Sequence, residues 1–98
     1  MKTTLQDVEH FVGRCQAVID ADREENFPAL KREVLTIKQG RRYFKIVQRG
    51  AVWAFIDTNG DILKPASWRA PAKHARGNLF DANQGMGSIG PNGPAYLR

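Results

Sequence analysis

Between Glu33 and Lys64 short apolar runs alternate with tight-turn signals, a pattern that leaves an antiparallel meander as the natural solution. Glu33 to Gln39 puts Leu35 and Ile37 on one face, and Gln39-Gly40-Arg41 turns the chain. Arg42 to Arg49 carries Tyr43, Phe44, Ile46 and Val47 up to a turn at Arg49-Gly50. Ala51 to Thr58 carries Val52, Trp53, Phe55 and Ile56, and Asn59-Gly60 is a strong hairpin pair because both residues tolerate positive φ. Asp61 to Lys64 returns, and Pro65, which has no N–H for a ladder, stops it. Strand alternation places Lys45 with Tyr43 and Val47, opposite Phe44 and Ile46.

A four-stranded meander has a face to cover, and the preceding segment supplies the cover. Leu5, Val8, Phe11, Val12, Cys15, Val18 and Ile19 recur at helical spacing. Thr4 can cap this helix, with Asp7 as the returning member of a shortened capping box, and Asn26-Phe27-Pro28 ends it. The helix is predicted over residues 4–24. Asp20, Asp22, Glu24 and Glu25 crowd its C-terminal end, where the macrodipole disfavours them, so they either pair with cations of the body or solubilise an exposed face. After Pro65 regular structure thins. Pro71 and Gly77 bracket a predicted helical turn, Pro71 to Arg76, which would set Lys73 and Arg76 on one side. Gln84 to Pro94 is rich in glycine and proline, and Ile89, Tyr96 and Leu97 are expected to pack against the sheet. The expected fold is α+β: a single domain over residues 1–98, with a helix at 4–24, a four-stranded antiparallel meander at 33–64, and an irregular Gly/Pro-rich third at 65–98.

Charge is distributed unevenly. Residues 1–30 hold three cations against six acids (net −3), and residues 31–98 hold twelve against four (net +8). The densest stretch runs from Lys64 to Asn78, with Lys64, Arg69, Lys73 and Arg76, His74, Trp68, two prolines and no acid. Cations suit phosphate, and an indole suits a base, so Lys64, Arg69, Lys73, Arg76, His74 and Asn78 are the candidate phosphate-binding residues. Trp68 is the candidate stacking platform, with Trp53 a weaker one, and Lys38, Arg41, Arg42, Lys45 and Arg49 could extend the surface. The bland alternative buries Trp68 in the core and leaves the cations solvating a loop.

Other motifs carry less. Gly85-Met86-Gly87-Ser88-Ile89-Gly90 has the letters of a dinucleotide fingerprint, but Pro91 and Pro94 follow where a helix must start. Its glycines could still form an anion nest. Asp57-Thr58-Asn59-Gly60-Asp61 has alternating oxygen ligands but lacks the glycine and bidentate glutamate of a calcium loop, and a hairpin turn explains it. His10 and His74 are the only histidines, and Cys15 falls on the apolar helix face. No catalytic residue, metal or cofactor is expected, a general acid–base role for His74 on phosphate being a distant option. No apolar run approaches the roughly 20 residues of a membrane span, and a lone cysteine fits a reducing cytoplasm.

Val52-Trp53-Ala54-Phe55-Ile56, Asn59-Gly60-Asp61, Lys64-Pro65-Ala66-Ser67-Trp68, Ala70 through Asn78, Gly85, Gly90-Pro91 and Gly93-Pro94-Ala95-Tyr96-Leu97 together resemble a family of small uncharacterised phage proteins. The resemblance spans roughly residues 43–98. It implies a phage origin and an infected bacterial cytoplasm, and it implies no mechanism. The leading expectation is a non-catalytic module binding nucleic acid through a basic, aromatic surface. An anti-defence protein would use the same residues to sequester a small phosphorylated nucleotide, of the cyclic-dinucleotide or ADP-ribose type. A third expectation is a host-protein inhibitor or virion component, and the opposite charges of front and body would also suit a homo-oligomer.

Overall fold

The computed structural model describes residues 3–91 and 93–94. Helix α1 spans Leu5–Asn26. It begins in a full capping box: the Asp7 N–H donates to Thr4 Oγ1 (3.1 Å), and the Thr4 N–H donates to Asp7 Oδ2 (2.9 Å). These bonds hold the Asp7 carboxyl below the usual carboxylate range. Val8, Phe11, Val12, Cys15 and Ile19 form its buried stripe.

Five strands follow in a simple antiparallel meander: β1 Thr36–Gln39, β2 Tyr43–Gln48, β3 Ala51–Asp57, β4 Asp61–Pro65 and β5 Pro71–Asn78. The class is the expected α+β, with one strand more than expected. The extra strand corrects the helical turn expected at Pro71 to Arg76. Proline is tolerated at the first residue of an edge strand, and β5 pairs along β4 at Pro65↔Pro71, Leu63↔Ala75 and Ile62↔Gly77. Short β1 follows Leu35, which is buried, and Ile37 packs on the same core.

The helix lies on one face of the sheet, against Phe44, Ile46, Trp53, Ala54, Ile56 and Ile62. Strict alternation would put Trp53 on the other face with Phe55. A β-bulge prevents this: Ile46 pairs with Ala54 but Val47 with Val52, so Trp53 is the extra residue and turns into the helix-side core. Beyond β5, a 3-10 turn at Met86–Ser88 leads into a small hairpin, β6 Ile89–Gly90 with β7 Gly93–Pro94. Gly93 has φ +108°, and a Cβ there would stand 3.0 Å from the Trp53 carbonyl oxygen, so only glycine lets this hairpin close over the indole. Ile89 packs against the core as expected, while Tyr96 and Leu97 lie outside the described residues.

The segment joining α1 to β1 is tied down by a half-buried amide. Gln16 Nε2 donates to the Glu33 carbonyl (2.7 Å), and the Leu35 N–H donates to Gln16 Oε1 (2.8 Å). Asp20 and Arg32 add a paired contact at 3.0–3.2 Å, so this member of the acidic cluster does pair with the body. That guanidinium holds the Asp20 carboxyl low.

Candidate nucleic-acid interface

The face of the sheet turned away from α1 carries the charge. Its floor is Val47, Phe55 and Leu63, all buried although no helix among the described residues covers them. Phe55 is covered in part by side chains of the same face. The Tyr43 ring meets the Phe55 ring edge-on at 5.6 Å, and Lys45 Nζ sits 6.0 Å from the Phe55 ring centre. Lysine stems can shield apolar surface while the ammonium stays wet.

The loop between β4 and β5 folds back across this face. The Ala66 and Ser67 N–H groups donate to the Ala70 carbonyl, and Ser67 Oγ accepts from the Arg69 and Ala70 N–H groups (3.3 and 3.2 Å). This closed turn presents Trp68, which is 43% exposed. Lys45 Nζ lies 4.3 Å and Lys38 Nζ 5.4 Å from the indole centre. The two lysines are direct cross-strand partners, Lys38↔Lys45. Like charges directly opposite in a sheet are destabilising, and here both converge on one exposed indole.

The candidate residues of the Lys64–Asn78 stretch therefore divide. Lys73 is exposed on β5 between Pro71 and Ala75, which pair with Pro65 and Leu63 across a register shift. Arg69 is exposed beside Trp68. Lys64 has the parity of Ile62 and is half-buried, and His74 has the parity opposite to Lys73. Arg76 is the extra residue of a bulge opposite Ile62, with Nη1 donating to the His74 carbonyl. With β5 a strand, the helical spacing that would have set Lys73 and Arg76 on one side does not apply, and a register shift falls between them at Arg76. Asn78 is committed to the fold. Its Nδ2 donates to the Asn59 carbonyl (3.0 Å) and Asp61 Oδ1 (2.9 Å), and its Oδ1 accepts from the Phe80 N–H (2.8 Å). Trp53, 5% exposed, is no platform.

The remaining motifs resolve into packing. Asp57 Oδ1 accepts from the Asn59 and Asp61 N–H groups (2.9 and 3.0 Å), which fixes the hairpin and leaves the sequence there a turn. A Cβ on Gly85 (φ +81°) would come within 2.4 Å of Ile62, so this glycine serves close packing. Burial pushes the Cys15 thiol up to about 12, which denies it a thiolate at neutral pH. No cluster of three or more metal-ligating side chains occurs among the described residues, and no helix there is long and apolar enough to cross a membrane.

Residues 2–90, which include the helix, the whole meander and the Trp68 loop, match a Family of unknown function (DUF7717). The chain belongs to that family. No curated protein and no solved structure matches it. Trp68, whose exposure the sequence leaves open, is exposed, and the cations over its ring are not its sequence neighbours. Its actual cationic partners, Lys38 and Lys45, come from β1 and β2. Alternation marks those two as facing one way, while nothing local marks the loop that crosses them.

Proposed function

We propose that this chain is a non-catalytic nucleic-acid-binding module whose contact surface is the helix-free face of the sheet. The observation that carries the reading is the pair of cross-strand lysines held 4.3 and 5.4 Å from an indole that is 43% exposed. Lys38 and Lys45 stand over the ring, Arg69 flanks Trp68 and Lys73 is exposed on β5, so they would meet phosphates while the ring meets a base. The net charge of +5 adds a general attraction to polyanions. The resemblance to small phage proteins supports an infected bacterial cytoplasm as the proposed place of action.

Release of counterions supplies the test. With these four cations engaged, log K against log salt should fall with a slope of about −3 on single strands, at about −0.7 per phosphate. Fluorescence anisotropy of a labelled oligonucleotide between about 50 and 200 mM salt measures it. Absence of binding at the low end, or a flat salt response, rejects the reading.

A further inference from the structure

Beside Trp68 lies an open groove of about 410 Å³, lined by Gly50, Ala51, Val52, Pro65, Ser67 and Trp68 among others. No charged side chain lines it. Its walls are an indole, a proline ring and small residues, and its polar side chain is Ser67, whose oxygen accepts two backbone N–H groups and keeps its proton to donate. The cations stand outside, around the ring: Lys38 and Lys45 over the indole and Arg69 next to it.

We infer that this groove is a slot for one unpaired nucleobase, so that the protein selects single-stranded over double-stranded nucleic acid. The inference rests on the nucleic-acid reading above and adds the substrate class. An uncharged, aromatic-walled slot rejects a phosphate, which would be desolvated there without a counter-charge, and accepts a flat heterocycle. Cations confined to the rim hold the adjoining phosphates. In a duplex the base faces are already covered by their neighbours, so only an unstacked base can enter. The slot is also prepared in advance. The closed turn of residues 66–70 and the two lysines fix the ring, and Arg49 and Gly50, with φ of 55° and 78°, turn the chain tightly at the opposite wall.

The test compares four probes of one length, about 16 nucleotides where a chain is used: a single strand, its duplex, an abasic single strand with the same phosphates, and the free nucleoside monophosphate. The single strand should bind about 5- to 150-fold tighter than the abasic strand, the range of one stacked base, and should also exceed the duplex. It should quench Trp68 fluorescence, to which the buried Trp53 adds a constant background. Trp68→Ala should lower single-strand affinity to the abasic level, and Trp68→Phe should restore part of it. Equal binding of single strand, abasic strand and duplex overturns the base slot while leaving the phosphate-binding surface intact. Failure of all probes at low salt overturns both. A free mononucleotide that binds as tightly as the oligonucleotide overturns strand selectivity in favour of a small phosphorylated ligand. Circular dichroism of the Trp68 variants checks that the exposed substitution leaves the fold unchanged.

Discussion

Gln16 does more for the fold than its polar character announces. Its amide satisfies the Glu33 carbonyl and the Leu35 N–H at once, pinning the long connection just before the sheet begins. Gln16→Ala leaves both backbone groups part-buried and unpaired, and should cost about 1–3 kcal/mol in urea unfolding. Gln16→Glu should recover the acceptor role only. Arg49 presents the reverse case. It holds φ 55°, a left-handed conformation that costs most L-residues about 1–2 kcal/mol, and its bond to Glu33 is long (3.5 Å) and exposed. Arg49→Asn should therefore stabilise the protein by about 1 kcal/mol in the same assay, since asparagine tolerates that conformation.

At the scale of elements, α1 is fastened by two carboxylates, one at its start and one in its second half. Asp7 closes the capping box, and Asp20 meets Arg32. Both carboxyls are held below their ordinary value, by hydrogen bonds from Thr4 and from Arg32 respectively. A depressed folded-state pKa gives stability that is present above the unfolded value of about 3.9 and is lost as pH falls through the folded value. Thermal melts should accordingly weaken on acidification through that region, and less so in an Asp20→Asn variant, whose baseline is already lower. Thr4→Ala should cost about 1 kcal/mol at neutral pH. Strand β5 shows how an element can be misread locally. Pro71 is as acceptable opening a helix as opening an edge strand, and Lys73, His74 and Arg76 favour neither strongly. Pairing with β4 settles the choice.

For the molecule as a whole, the acidic helix lies on one face of the sheet and part of the body's positive charge on the other. The helix, with its acids, occupies one face, and Lys38 and Lys45 share the other. A cation that contacts phosphate here should be countable. Lys45→Ala should flatten the salt slope on single strands by about 0.7, and Glu9→Ala, on the exposed side of α1, should leave it unchanged. Binding isotherms at several salt concentrations read both.

Periodicity was enough to determine the class of this fold from the chain alone. Helical spacing from Leu5 to Ile19, alternation through β2 and β3, and Asn59-Gly60 each encode a conformation within a few residues of themselves, because φ/ψ preference and side-chain direction are local properties. What only the tertiary structure decided was company. The bulge that sends Trp53 inward depends on how β3 meets β2, and the two lysines at Trp68 depend on a loop folding back over strands far upstream. Such neighbours are chosen by the packing of the whole sheet, and no short stretch of residues carries that information.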